Sequence, residues 1–315
     1  MGTARPDAVV IGAGVIGLTT GVCLVEQGLR VQLRTRAAPS ATTSSVASAM
    51  IGPSLAPADD PVGARERAGI EEFTALAGVA GTGVTLRRGR LARRENAPPL
   101  PRMHACAPAE LPAGFAGGFW ADLPLVEMPV YLDYLASRLT ASGGRIEYGE
   151  VDSLAEVAGQ APLVANCSGL GARSLVPDPT VHAVRGQHVI VDNPGLAEFF
   201  VEAPFGPAWT AYWPYADHVV LGGIAIADDE DPEPDPAVAE QILRRCIEVE
   251  PRLGGARVRA HQVGLRPSRP SVRLEAEELE GARCVHNYGH GGSGVTMSWG
   301  CAREAAALLT GEGAR

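Results

Sequence analysis

The sequence predicts an α/β protein in which a Rossmann-type dinucleotide-binding domain is joined to a second domain built on a mixed or antiparallel sheet. A short apolar run, Ala8–Ile11, is followed at once by a glycine-rich turn and a segment of helical potential. A second glycine-rich segment follows an apolar strand pattern close to the C-terminus. The 315 residues contain 46% hydrophobic and 20% charged side chains, a balance that allows a folded core.

The N-terminal motif has the G-x-G-x-x-G spacing and consists of Gly12, Ala13, Gly14, Val15, Ile16 and Gly17. At this spacing Gly12 allows a tight turn, Gly14 allows a pyrophosphate to approach the backbone, and Gly17 allows the helix to pack on the strand. The N-terminus of the following helix offers unpaired N–H groups to an anion. The motif therefore predicts a strand, turn and helix that bind a dinucleotide.

The second strand, predicted over residues 29–33, ends in basic residues. An acidic residue usually stands here to bind the ribose hydroxyls, but this chain has Arg34 and Arg36. We expect Arg36 to contact the cofactor. Because arginines can also bind the 2′-phosphate of NADP, this segment alone leaves an NADP-dependent reductase open.

Two motifs in the C-terminal third are more specific. Residues 263–274 read VGLRPSRPSVRL, and residues 285–296 read VHNYGHGGSGVT. Together with the N-terminal motif and the NCSG sequence at 166–169, they resemble the motifs of the D-amino-acid and D-aspartate oxidases along nearly the whole chain. The resemblance implies FAD as the cofactor, bound in a glutathione-reductase-like domain. A helix predicted over 302–309 would point its N-terminus at the flavin and favour the negative charge of the reduced ring.

The resemblance also implies the cofactor contacts outside the N-terminal motif. They are Arg36, Thr42, Thr43, Ser44, Gly169, Gly289, Gly291, Gly292, Gly294, Val295 and Thr296. Small hydroxyls at 42–44 suit the neighbourhood of a pyrophosphate because they donate hydrogen bonds without crowding. We expect His286 and His290 to support the loop by hydrogen bonds, and we expect no metal site, since the spacing of metal ligands is absent.

Three residues are implied to act on the substrate: Arg273, Gly292 and Tyr212. Arg273 would bind the substrate carboxylate in a bidentate pair, and the carbonyl of Gly292 would accept from the amine. We expect Arg266 and Arg269 to hold the loop structure, because prolines flank them.

One position departs from the family. The tyrosine expected three residues before Pro214 is Ala211 in this chain. Either Tyr212 recovers the hydroxyl through a one-residue shift, or Trp209 fills the pocket and leaves the arginine as the strong carboxylate ligand.

The resemblance implies oxidative deamination of D-amino acids to 2-oxo acids, ammonia and hydrogen peroxide. A hydride would pass from the substrate Cα to flavin N5, and molecular oxygen would reoxidise the flavin. Two other functions stay open on the sequence. One is a related FAD amine oxidase or dehydrogenase acting on glycine, sarcosine or a specialised biosynthetic amine, and the other is a dinucleotide-binding sensor without catalysis.

We expect the FAD-binding domain to comprise residues 1–55, 140–185 and 256–315, and the substrate domain residues 56–139 and 186–255. The formal net charge of −9 disfavours nucleic acid. Six cysteines without C-x-x-C spacing indicate a reducing cytoplasm, and no apolar run reaches the length of a membrane span. Beyond the amino-acid substrate and oxygen, the sequence leaves a homodimer open.

Overall fold

The computed structural model describes residues 5–54, 56, 57, 59–95 and 103–311. They form an α/β structure around one mixed sheet of 15 strands, as the sequence predicts. The strands are β1 (Ala8–Ile11), β2 (Val31–Thr35), β3 (Ala49–Met50), β4 (Val84–Arg93), β5 (His104–Ala105), β6 (Gly117–Val126), β7 (Arg145–Tyr148), β8 (Leu163–Asn166), β9 (His182–Asp192), β10 (Phe199–Glu202), β11 (Ala208–Pro214), β12 (His218–Ile224), β13 (Ile226–Ala227), β14 (Val258–Leu279) and β15 (Ala282–His290).

Helices cover the sheet. They are α1 (Val15–Glu26), α2 (Pro61–Leu76), α3 (Met128–Ala141), α4 (Leu154–Ala158), α5 (Ala172–Leu175), α6 (Pro236–Val249) and α7 (Gly294–Thr310). In the described part of the chain no helix is both long enough and apolar enough to cross a bilayer.

The parallel half of the sheet carries the N-terminal motif. Strand β1 lies at its centre, parallel to β2 on one side and to β8 on the other, and β7 and β15 continue the parallel order outwards. All four residues of β1 are buried, which explains its uninterrupted apolar sequence. Helices α1 and α7 pack together against this half.

Helix α3 belongs with the parallel half. Its buried leucines share a core with α1 and β2, and a Cβ atom at Gly21 of α1 would lie 3.3 Å from Leu139. The helix runs directly into β7 at the edge of the parallel strands. The boundary expected at 139/140 therefore falls inside α3, and packing assigns this helix to the cofactor-binding half.

The second half of the sheet is largely antiparallel and runs in the order β3, β6, β4, β10, β11, β12, β9, β14. Only β10 and β4 pair in parallel within it. Helix α6 covers one face, where Ile242 and Cys246 are buried in an apolar cluster with Tyr212. The opposite face is turned towards the cofactor-binding half and is called the site face below.

Strand β14 joins the two halves. Its first part pairs antiparallel with β9, and its second part pairs antiparallel with β15. The pairing with β15 shifts register between Ser268 and Arg273, so the strand is irregular at the junction. The arginine-rich motif therefore spans the boundary between the two halves.

Candidate active site

The loop between β1 and α1 packs closely against neighbouring backbone. Gly12 has a φ of 103°, and a Cβ atom there would lie 2.6 Å from the carbonyl oxygen of Cys167. A Cβ atom at Gly17 would overlap the carbonyl oxygen of Gly12. These two positions therefore require glycine for conformation and for packing.

The serine of the threonine-rich segment reaches the N-terminus of α1. Ser44 lies in the turn Thr43–Val46, and its Oγ accepts a hydrogen bond of 3.0 Å from the N–H of Val15. Thr42 donates its hydroxyl to the carbonyl of Pro39 at 2.7 Å, which stabilises the preceding turn. Residues 42–44 thus lie beside the helix N-terminus where the sequence predicts the pyrophosphate.

The two arginines at the end of β2 have different surroundings. Arg34 donates to the carbonyl of Glu150 and forms an ion pair of 3.5 Å with Glu156. Arg36 follows the strand with an exposed side chain, and it forms no hydrogen bond or ion pair with the described residues. Its guanidinium is therefore available to a ligand at the edge where an adenosine ribose would bind.

The second glycine-rich loop leads from β15 into α7. Gly289 and Gly291 have φ values of 85° and 55°, which favour glycine. Helix α7 begins at Gly294, and Ser293 makes no side-chain cap, so the N–H groups of the first turn, including those of Val295 and Thr296, remain available to a ligand. Helix dipole and free N–H groups together favour negative charge in front of this loop.

Gly169 connects this loop to β14. It has a φ of 58° and opens the turn Gly169–Gly171, and a Cβ atom there would lie 3.8 Å from Pro267. Gly291 is similarly close to Ser268, at 3.1 Å from its Oγ. The two glycine turns thus meet at the junction strand.

Arg266 lies beside these turns on the site face. Its guanidinium sits over Gly186 of β9, where a Cβ atom would lie 2.5 Å from Nη1, and a Cβ atom at Gly292 would lie 3.7 Å from the Arg266 Cδ. Nη1 donates to the carbonyl of Ile224 at 3.3 Å. Arg266 forms no ion pair with any carboxylate of the described residues, and burial lowers its pKa. Such a cation is matched to an anionic ligand.

The structure does not bring Arg273 to this place. Its Nε donates to Glu275 at 2.6 Å, its Nη1 donates to the hydroxyl of Tyr288 at 2.9 Å, and its Nη2 lies 3.6 Å from Glu277. Arg269 is likewise paired, at 2.9 Å from Asp178. Arg273 is therefore already engaged, whereas Arg266, expected from the sequence only to hold the loop structure, has no acidic partner in the described part of the chain.

Tyr212 also lies away from the site. Strand pairing sets Ala211 opposite Gly222 and Tyr212 opposite Leu221, so their side chains point to opposite faces. The Tyr212 ring stacks on Phe200 at 5.9 Å and is 1% exposed on the α6 side. Burial raises the pKa of its hydroxyl to about 12. Strand β11 has a register irregularity between Ala208 and Ala211, and it leaves Tyr212 on the α6 side.

The tryptophans of β11 lie on the same face as Ala211. Trp213 is buried in the site-face apolar cluster, and Trp209 packs against the edge of that cluster. The indole Nε1 of each is buried without a hydrogen-bond partner. The alternative in which Trp209 fills the space of the missing tyrosine therefore agrees with the direction of its side chain.

The two histidines of the C-terminal motif have different contacts. His286 Nδ1 accepts a 3.1 Å hydrogen bond from the Asn166 amide, whose oxygen is already used by Ser168. His290 is buried, its Nε2 has no hydrogen-bond partner, and burial together with the Arg65 charge lowers its pKa to about 3. Neither ring is placed as a base.

Glu277, Cys284 and His286 offer ligand atoms within 4.8 Å of one another. Because Nδ1 of His286 accepts a hydrogen bond from the Asn166 amide, the proton of the neutral ring is on Nε2, which lies 2.9 Å from a Glu277 oxygen without the geometry of a hydrogen bond. Burial raises the pKa of the Cys284 thiol to about 12. A protonated nitrogen and a protonated thiol are poor metal ligands, so this cluster is better described as a hydrogen-bonded part of the sheet.

The fold and these loops define a class of protein. Residues 7–308 match the family of FAD dependent oxidoreductases, and the chain belongs to this family. It is similar to the D-amino-acid oxidase of Rubrobacter xylanophilus, with 48% identity over 312 residues that cover 96% of this chain and 95% of that protein. It is also similar to the D-amino-acid oxidase of Streptomyces coelicolor, with 46% identity covering 96% of this chain and 97% of that protein.

A solved structure of glycine oxidase from Geobacillus kaustophilus has the same fold. Its TM-score is 0.82 at 19% identity, with 98% of this chain and 95% of that chain covered. Family membership decides between FAD and NADP, which the end of β2 left open. The glycine-rich turn before α1, where Ser44 accepts from the N–H of Val15, and the uncapped N-terminus of α7 fit FAD.

Proposed function

We propose that this protein is an FAD-dependent D-amino-acid oxidase in which Arg266 binds the substrate carboxylate. The activity is supported by the two D-amino-acid oxidases that are 48% and 46% identical to nearly the full chain. The role of Arg266 is supported by its position beside Gly292 and by its lack of an acidic partner among the described residues. The products are a 2-oxo acid, ammonia and hydrogen peroxide.

Arg266 and Gly292 together orient the substrate. The guanidinium forms a bidentate pair with the α-carboxylate, and the exposed loop at Gly292 offers its carbonyl to an amine N–H. FAD, when bound, supplies the hydride acceptor. Two-point binding fixes the Cα between these groups, and orientation of this kind can lower a barrier by roughly 7 to 11 kcal/mol in ideal cases.

The substrate amine binds in its neutral form. Because the α-carboxylate offsets the Arg266 charge, the removal of the amine from water is what disfavours its charged ammonium form. His188, His286 and His290 are buried, and burial lowers the pKa of each ring, to about 4 in His188 and about 3 in His290. Since no ring is poised as a base, removal of the Cα hydrogen as a hydride suits these surroundings.

The test compares substrates in the absence of oxygen. Purified holoenzyme is mixed with D-alanine, L-alanine, glycine and sarcosine, and the visible flavin absorbance is recorded. Bleaching by the D-amino acid alone is the expected result. Bleaching by glycine or sarcosine with no response to D-amino acids would overturn the proposed substrate class and leave the family assignment intact.

We further propose molecular oxygen as the electron acceptor, and the cytoplasm as the location. All six cysteines are free thiols, and four of them are buried, which suits a reducing compartment. A homodimer is the oligomeric state to be tested by mass measurement in solution.

A further inference from the structure

His188, a buried histidine of the antiparallel half, lies between the dinucleotide-binding loop and the sheet face that carries Arg266. His188 of β9 is 8% exposed, and its ring lies over Gly222, where a Cβ atom would lie 2.7 Å from Cδ2. The Trp213 ring meets it edge to face at 6.1 Å. Glycine at position 222 is what gives these two rings their space.

Both ring nitrogens of His188 contact the cofactor-binding half. Nδ1 lies 3.1 Å from the carbonyl oxygen of Val46, and Nε2 lies 3.2 Å from the hydroxyl of Ser48. Because a carbonyl can only accept, Nδ1 carries the proton, and Nε2 accepts from the Ser48 hydroxyl. The ring therefore has one defined neutral tautomer. Burial, reinforced by the charge of Arg266, lowers the pKa of His188 to about 4, which keeps this tautomer near neutral pH.

Segment 46–48 has contacts that make its position important. Ser44, just before it, accepts from the N–H of Val15 at the start of α1. Met50, just after it, packs against the site-face apolar cluster. A Cβ atom at Gly264, two residues before the proposed carboxylate ligand, would lie 3.0 Å from Val46. The segment thus runs from the dinucleotide motif to the substrate side.

We propose that His188 is a positioning residue that holds segment 46–48, and with it the cofactor loop, in register with Arg266. The substrate part of this inference rests on the proposed function. Arg266 and His188 project from the same face of the sheet. The two hydrogen bonds of His188, to Val46 and Ser48, therefore link the strands that carry Arg266 to the segment that borders the dinucleotide. The reaction needs the substrate and the cofactor at a defined separation, and the hydrogen bonds of His188 maintain that separation.

The test is the holoenzyme of His188→Phe, which keeps a planar ring of similar size but removes both hydrogen bonds. Dissociation of FAD is followed by flavin fluorescence, and flavin reduction by D-alanine is followed without oxygen. We expect the Kd for FAD to rise about tenfold and the reduction rate constant to fall about tenfold, from the loss of two buried hydrogen bonds. The Kd of a carboxylic acid that lacks the amine should change less than about threefold, because Arg266 remains.

Two partial variants separate the hydrogen bonds from simple packing. His188→Asn keeps a donor that can reach the Val46 carbonyl and should recover much of the loss. Ser48→Ala removes only the bond to Nε2, leaves the ring in place and should cause a smaller loss in both measurements. It also provides the test where the phenylalanine variant fails to fold.

His218→Phe, a histidine at the far end of β12, serves as the matched control and should leave both quantities unchanged. An unchanged Kd and reduction rate in His188→Phe would overturn the proposal, as would an equal loss in His218→Phe. If D-amino acids do not reduce the wild-type flavin, the proposed function fails. The Kd for FAD then still decides whether His188 positions the cofactor loop.

Discussion

The two parts of β14 carry arginines seven residues apart in opposite surroundings. In the part paired with β9, Arg266 contacts glycines and a carbonyl and has no ion pair with the described residues. In the part paired with β15, Arg273 is held by two carboxylates and a tyrosine hydroxyl. The difference teaches that an arginine is available to a ligand when no carboxylate on its own strand or on the adjacent strands is close enough to pair with it.

The largest expected effect is on catalysis. Arg266→Ala should lower kcat/KM for a D-amino acid by about a thousandfold, because truncating one partner of a shielded charge pair costs roughly 2 to 5 kcal/mol. Its free energy of unfolding should change little, since no ion pair is lost. Steady-state kinetics and urea unfolding of the same preparation check the two halves of this statement. Retention of wild-type kcat/KM would remove Arg266 from the site.

The second expected effect is a pH dependence of stability that comes from His188. This residue lies in the same part of the sheet as Arg266, so the effect is specific to that part. The pKa of His188 falls from 6.5 in the unfolded chain to about 4 in the folded protein. Between pH 4 and pH 6.5 the unfolded chain therefore binds more protons than the folded protein. The contribution of His188 to the free energy of unfolding is complete above pH 6.5 and is lost as the pH falls towards 4. The loss should amount to about 3 kcal/mol.

Urea unfolding between pH 7 and pH 4.5 measures this dependence. His290 is shifted in the same direction, so the wild-type slope contains both residues. The difference between the wild type and His188→Phe isolates the His188 contribution. Parallel slopes in the two proteins would contradict the buried neutral state.

The third effect should be the reverse of the first. Arg273→Ala removes contacts to Glu275 and Tyr288 from a side chain that is 20% exposed. Stability should fall by roughly 1 kcal/mol, since partly exposed ion pairs contribute little, while KM should stay within about twofold. Thermal unfolding measures the stability of Arg273→Ala, and steady-state kinetics measures its KM. The same two measurements on Arg266→Ala give the matched comparison. A large rise in KM here would restore Arg273 as the carboxylate ligand.

The smallest expected effect tests the face of β11. Tyr212→Phe removes a hydroxyl on the α6 side, so KM and kcat should both remain within about twofold of the wild type. A strong rise in KM would mean that the strand slips by one residue when the substrate binds.

The contiguous motifs were predictable from the sequence, since their chemistry is local. Gly12, Gly289 and Gly291 have positive φ values, and the first loop lies between the strand and the helix that the pattern predicts. The helix expected over 302–309 instead begins at Gly294, so Val295 and Thr296 lie in its first turn. Family membership and the α/β class are confirmed for the same reason. Ser44 contacts the N–H of Val15 at the start of α1, and its contact with the cofactor stays a prediction.

The choice among three arginines was not predictable in this way. The sequence shows arginines at 266, 269 and 273 with similar flanking residues, and their partners come from Asp178, Tyr288 and the loop at Gly292, which are distant along the chain. One local signal was available: Gly264 lies two residues before Arg266 on the same strand face, which indicates close packing by another segment.

The sequence by itself determined the cofactor class, the presence of two glycine-rich loops and the broad α/β architecture, because the motifs and apolar patterns that indicate them are contiguous in the chain. The tertiary structure decided that Arg273 is engaged by two carboxylates while Arg266 has no acidic partner among the described residues, that Tyr212 lies on the α6 side of the sheet, and that α3 packs with the parallel strands. Each of these depends on strand register or on long-range packing, and a shift of one residue in register reverses the face of a side chain. The same pairing brings His188 against segment 46–48, a contact between residues about 140 positions apart.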